Sequence, residues 1–310
     1  MVPGFSLRQL SYLSAVAQYG SIAAAAEVEH VSQAAISTGL QDLERRLGLQ
    51  LLTRRPGHGA SLTEAGSMIL GDARRVIQAS NELMSSAKAP NAELRGTLRL
   101  GCFTTLSPIF LPQLMSTFAG DHPALELGVL EGSQDELLRA LHDGTCELAI
   151  TYGAGIGDGV ATKQLRRMAP YVLLASHHPL ADRESIDLGE LADTPHIEYT
   201  NEPGRTEDFL RSKGYSPRTL HRSANIEVVR GLIARGLGWS IMFQRWPRNV
   251  SLDGLPLAAV PVSGDVPSLD VVAAWREQDQ LSRRSRAAIS FLLSEVGDAS
   301  SRVSDHGVTL

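Results

Sequence analysis

Cysteine is scarce. Only Cys102 and Cys146 occur in 310 residues, which excludes a disulfide-stapled scaffold. Long apolar runs are missing too: no stretch approaches the roughly 18 residues of a membrane span. The opening MVPGFSLRQL has no basic segment followed by an apolar one. No secretory signal is read there, and a cytoplasmic location is expected. Positive charge is in short supply, with a formal net charge of −5. The first 65 residues carry five arginines (Arg8, Arg45, Arg46, Arg54, Arg55), no lysine, and five acids (Glu27, Glu29, Asp42, Glu44, Glu64). Overall charge therefore neither supports nor excludes a nucleic-acid partner. Catalytic signatures are also lacking. There is no G-x-S-x-G elbow, no P-loop and no dinucleotide fingerprint after the first strand. His177 and His178 are adjacent but have no third partner at zinc-type spacing. Neither an enzyme nor a cofactor or metal is expected.

What is present is ordinary in bulk and telling in placement. The chain is 43% hydrophobic and 20% charged, as globular proteins are, and its length suggests two or three domains. Four of the five early arginines fall between positions 45 and 55, and phosphate contacts are local. Leu7, Leu10, Leu13 and Ala17 recur at helical spacing, and Gly20 closes that helix. Ser21 caps a small-sided helix, IAAAAEV; a brief turn, EHV, follows, and Ser32 caps a third helix. Ile36, Leu40, Leu43 and Leu47 form its buried stripe, and Gly48 ends it. Two helices joined by so short a turn match a helix-turn-helix. Gln33, Ser37, Gln41 and Arg45 line the side away from the leucines. Gln can pair with adenine and Ser with several base edges or a phosphate. A plain solvated face fits the same pattern.

LQLLTRRPGHGASLT reads as a hairpin with Arg54 and Arg55 at its tip. A basic hairpin beside such a helix makes a winged helix-turn-helix, the arginines meeting phosphates or the minor groove; a surface turn with two solvated arginines is the plainer alternative. From Glu64 to Lys88 there is no proline. Leu62, Gly66, Ile69, Ala73, Val76, Ser80, Leu83 and Ala87 alternate by threes and fours, a coiled-coil seam. Such a helix pairs with a copy of itself or lies along its own domain, and pairing suits a two-fold DNA site. PNAELRG then reads as a linker.

Beyond residue 96 strands and helices alternate, from TLRLGCF to the closing helix SRRSRAAISFLLSEV. This predicts parallel sheets flanked by helices, in two lobes because the strands are too many for one sheet. Ligands bind such sheets at the C-terminal ends of strands.

The stretch SIAAAAEVEHVSQAAISTGLQDLERRLGLQLLTRRPGHGASLTEAG resembles the signature of the LysR-type transcriptional regulators, and LRLGCFTTLSPIFLPQLM, LEGSQDELLRALHDGTCELAI and VVRGLIARGLGWSIM resemble their effector domain. The resemblance implies an α/β chain: an N-terminal winged helix-turn-helix (1–63), a linker and dimerisation helix (64–89) and a hinge (90–96). A two-lobed effector domain like periplasmic binding proteins of type 2 (97–300) would follow, with lobe I at 97–165 and 267–300 and lobe II at 166–266. Residues 301–310 would be a flexible tail. It implies a homodimer through the linker helix, assembled as a homotetramer on double-stranded promoter DNA. Gln33 would read bases, with Ser37, Thr38 and Gln41 nearby; Ser21, Ser32, Arg54 and Arg55 would approach phosphates. Two departures stand out. Ala34 replaces a usual proline, and Thr38–Gly39 replaces a basic or long polar pair. The alternative is therefore a small-molecule binding protein with a weak or vestigial DNA head.

By the same resemblance a small effector sits between the lobes. Thr104 and Thr105 end the first strand, Ser133 opens SQDELLRAL, Tyr152 follows CELAIT, and Thr200, Asn201 and Arg205 follow HIEYT. Hydroxyls and N–H groups at helix starts suit a carboxylate or other anion, as would Arg205. Plain helix capping, and an Arg205 ion pair with Glu207 or Asp208, are the simpler alternatives. Some family members sense peroxide through a cysteine pair; here Cys102 and Cys146 read as small buried hydrophobes.

Overall fold

The computed structural model describes residues 4–54, 59–88, 93–200, 205–246, 248–264 and 266–304. Helix α1 (Leu7–Tyr19) starts in a capping box: Ser6 Oγ accepts from the Gln9 N–H, and Gln9 Oε1 accepts from the Ser6 N–H at 2.8 Å. Gly20, at φ 70°, ends it. Ser21 caps α2 (Ile22–Val28) and Ser32 caps α3 (Gln33–Leu47), each by accepting an N–H three residues on. Leu13, Val16, Ala25, Ile36, Leu40 and Leu43 are fully buried in one core.

The wing is an antiparallel pair, β1 (Leu52–Arg54) and β2 (Ala60–Leu62). Glu44, in the last turn of α3, holds its root by accepting from the N–H groups of Leu51 and Leu52 at 2.8 and 3.1 Å. Thr63 caps α4 (Glu64–Lys88) through the Gly66 N–H. A Cβ on Gly66 would stand 2.0 Å from the Leu51 carbonyl oxygen, so only glycine lets α4 leave the wing this closely.

The seam expected along α4 is divided. Gly66 and Ala73 are buried and Ile69 is partly buried against the head, joined by Leu70 outside the expected seam, whereas Val76 and Leu83 are exposed at 43% and 70%. The helix then meets lobe I. Arg74 donates to Thr145 Oγ1 at 2.7 Å, and Gln78 Nε2 to Glu147 Oε2 at 2.7 Å.

Lobe I is one five-stranded sheet. Its strands are β3 (Gly96–Phe103), β4 (Leu125–Gly132), β5 (Leu148–Tyr152), β6 (Val160–Met168) and β12 (Leu269–Arg276), ordered β4-β3-β5-β12-β6. Between β3 and β4 run α5 (Ser107–Gln113), a π-helical turn (Leu114–Phe118) and α6 (Ala119–Asp121); α7 (Gln134–His142) follows β4. Lobe II holds β7 (Tyr171–Ala175), β8 (His196–Tyr199), α8 (Arg205–Ser212), β9 (Thr219–Ser223), α9 (Ile226–Ala234), β10 (Ser240–Met242) and β11 (Leu257–Pro261). Here β10-β7-β11 form one sheet and β8-β9 another. Helix α10 (Arg283–Ser304) covers lobe I and runs four residues into the stretch expected as a tail; 305–310 lie outside the described residues, as do 89–92 of the expected hinge.

The alternation predicts parallel sheets, but the sheets are mixed. In lobe I β3 runs parallel to β4 and β5, but β12 is antiparallel to β5 and β6, and in lobe II β10 and β11 are both antiparallel to β7. The reason is connectivity. The chain leaves lobe I from β6 and returns from β11 into β12, so the returning strand enters from the opposite end. No described helix is long and apolar enough to cross a membrane.

Candidate functional site

The polar row of α3 faces outward. Gln33, Thr38, Gln41 and Arg45 are exposed and Ser37 is half-buried. Among the described residues Gln33, Ser37, Thr38 and Gln41 make no side-chain hydrogen bond, so their donors and acceptors are uncommitted. Arg45 pairs with Asp42 at 3.0 Å yet keeps 73% of its side chain exposed. Asp42 also accepts from Arg46 and Gln9, which hold its carboxyl below the usual range. The acid beside the ridge is thus masked by its neighbours. The Ser21 and Ser32 oxygens accept cap N–H groups, but each hydroxyl still has a hydrogen to donate. Arg54 lies in β1 with its side chain outside the described residues, and Arg55 lies outside them altogether.

Gly39 does not belong to this ridge. It lies on the opposite side of α3, beneath the buried ring of Tyr12 on α1. The missing side chain is therefore a condition of helix packing.

Between the lobes lies a half-open cavity with about 50 Å³ of free space. Of the residues expected around an effector it is lined by Thr105 and Tyr152, whose hydroxyls are 3.2 Å apart. Tyr152 is further fixed edge-on by Phe103, with ring centres 5.1 Å apart. Thr104 is exposed and does not line it, nor does Thr200, whose N–H donates to the Ser223 carbonyl. Ser133 is a cap: its N–H and its hydroxyl both donate to Glu136 Oε2 at 2.8 Å, so a protein carboxylate already occupies that helix start. Asn201 lies outside the described residues; Arg205 opens α8 with its side chain likewise undescribed.

The cavity's other walls were not foreseen. Tyr199, Thr206 and Ile226 come from lobe II, and Phe243, Gln244 and Trp246 from the segment after β10. Gln244 is 7% exposed, and its Oε1 has no hydrogen-bond donor among the described residues. The cations nearby turn onto rings. Arg230 lies 4.3 Å from the Trp246 ring centre and pairs with Glu227, and Arg245 lies 4.6 Å from that of Tyr171. Only the hydrophobic run WSIMF had marked this region, and it reads as an ordinary strand.

Cys102 and Cys146 are fully buried, and burial pushes both thiols up to about 12. No group of histidines, cysteines and acids suited to a metal occurs among the described residues.

Comparison with known proteins agrees along the chain. Residues 7–67 match the family described as bacterial regulatory helix-turn-helix protein, lysR family, and residues 91–297 match the LysR substrate binding domain. The HTH-type transcriptional regulator CfxR of Cupriavidus necator is 31% identical over 243 residues, 76% of this chain and 75% of that protein. The hydrogen peroxide-inducible genes activator of Pectobacterium carotovorum is 27% identical, across 81% of this chain and 84% of that one. A full-length OxyR variant from Pseudomonas aeruginosa superposes with a TM-score of 0.74 at 26% identity, covering 94% of this chain and 97% of that chain.

Proposed function

Because this chain belongs to the LysR family of transcriptional regulators, we propose that it binds promoter DNA as a dimer of winged heads and answers to a small molecule held between its lobes. The observation that carries this reading is the uncommitted ridge of Gln33, Ser37 and Gln41 on the exposed face of α3, with Arg45 at its far end. In the major groove Gln33 reads base edges while Ser21, Ser32, Arg54 and Arg55 meet the backbone. Two α4 helices pair through Val76 and Leu83, and dimers pair into a tetramer. An effector that changes the lobes moves α4 through the Arg74, Gln78 and Glu147 contacts, and so the spacing of the heads.

The alternative of a vestigial head rested on Ala34, Thr38 and Gly39, and the packing role of Gly39 removes one of its supports. Fluorescence anisotropy on the DNA upstream of the protein's own gene decides between them. A working head binds, and its affinity falls steeply with salt as phosphates regain their counterions. Gln33→Ala abolishes the preference for that DNA over random sequence while non-specific binding persists. No binding by folded protein at low salt refutes the reading.

A further inference from the structure

We infer that the interlobe cavity takes a compact, neutral, single-ring molecule bearing one hydroxyl, of the phenol class, and that its entry parts the lobes. This rests on the reading of the cleft as the effector site. The sequence suits a carboxylate, but three of the described groups expected around one are spent or elsewhere. Glu136 fills the α7 start, and Thr104 and Thr200 do not line the cavity. The described lining side chains carry no charge; of the cations on neighbouring positions, Arg230 is stacked on Trp246 and paired with Glu227, and Arg245 lies over the Tyr171 ring. A carboxylate would be desolvated there with no described cation to offset it.

The walls are instead aromatic and apolar, with Tyr152, Tyr199, Phe243 and Trp246 around the space. Among the described lining residues, Gln244 has a buried Oε1 without a donor. Leaving it so is costly, and a ligand that supplies a donor recovers that cost. A hydroxyl meets the need, and meets it in either orientation of the amide, because it both donates and accepts. Size gives the second half of the inference. A dry cavity that holds benzene is about 150 Å³. The present space is about 50 Å³ and open on one side, so full burial of a ring needs the lobes to move apart.

Isothermal titration calorimetry of the full chain with phenol, toluene and benzoate tests this, with small-angle scattering for lobe separation. Phenol is expected to bind at least tenfold more tightly than either of the others and to change the scattering profile. In Gln244→Leu the phenol–toluene difference collapses while toluene binding is kept. Equal affinity for phenol and toluene in the unaltered protein overturns the role of Gln244. Benzoate binding as tightly as phenol, and weakened by Phe243→Ala, overturns the ligand class but leaves the cleft as the effector site. Binding of any of the three that is indifferent to Phe243→Ala overturns the site itself. No heat and no rise in melting temperature with phenol overturns the proposal.

Discussion

The ring of Tyr12 lies so close over Gly39 that a Cβ there would stand 2.9 Å from Cδ2 and 3.1 Å from Cε2. Two effects oppose each other at this position. Alanine in place of glycine inside a helix gains about 1 kcal/mol. Forcing a methyl group against a packed ring costs about 1–3 kcal/mol, and Tyr12 is only 5% exposed and cannot swing away. The clash wins. Gly39→Ala is expected to lower stability by about 1 kcal/mol, measured by urea unfolding of the intact chain. Tyr12→Leu in the same chain relieves the clash, so the double variant is more stable than the sum of its parts predicts. A stabilised Gly39→Ala variant would show that α1 and α3 do not meet this way.

That pair also separates what a local sequence pattern encodes from what only packing reveals. The stripe of Ile36, Leu40 and Leu43, the caps Ser21 and Ser32 and the wing were legible because each is a local pattern with one physical meaning. Gly39 was not: a glycine in a helix signals a lost contact as readily as a close approach, and the ring that explains it is 27 positions away. The cleft was legible in part for the same reason. Thr105 and Tyr152 lie at strand ends, where parallel sheets bind ligands. Gln244 and Trp246 join them only because the chain crosses to lobe II and back, and no local pattern encodes that crossing.

Glu147 ties α4 to lobe I. It accepts from Gln78 Nε2 at 2.7 Å and from Ser285 Oγ at 3.0 Å, with Arg284 at 3.6 Å. The Arg284 side chain is 7% exposed and, if Glu147 is removed, keeps Glu82 as its described carboxylate partner, besides the Arg95 carbonyl. Glu147→Ala is expected to destabilise by about 3 kcal/mol, since a buried charge loses a partner. Glu147→Gln loses less, because the amide oxygen still accepts. The informative measurement is hydrogen exchange. Amides of α4 near Gln78 should exchange faster while α1–α3 keep their protection. Unchanged exchange in α4 would mean that this contact does not hold the helix.

A relative of this chain is named for its response to hydrogen peroxide, but the thiols here are built for inertness. With both pulled up to about 12 by burial, the thiolate fraction at pH 8 is on the order of one in ten thousand. Because the folded thiols sit above their ordinary value, raising the pH through 8 to 9 ionises them only after unfolding. Native protein is expected to resist iodoacetamide for hours at pH 8 and to react fully in urea, by mass spectrometry. Peroxide should leave DNA affinity unchanged. Rapid labelling of either cysteine in folded protein would refute this.

Leu83 and Val76 lie seven residues apart on α4, exposed at 70% and 43% on a helix whose earlier seam residues Ile69 and Ala73 pack into its own head. Seven residues is two turns, so both lie on one stripe. The stripe begins where the head stops covering the helix, which leaves its continuation for a second copy. Two leucines meeting across a dimer seam withdraw apolar surface from water, whereas lysines there would repel each other and lose that burial. Leu83→Lys is expected to shift sedimentation from dimer to monomer at micromolar concentration. Melting of the single chain should change little, because an exposed side chain packs against nothing within it. Monomers hold one half-site each, so affinity for a two-fold operator should fall far more than affinity for a single half-site. A Leu83→Lys chain that sediments as the parent does would place the dimer seam elsewhere.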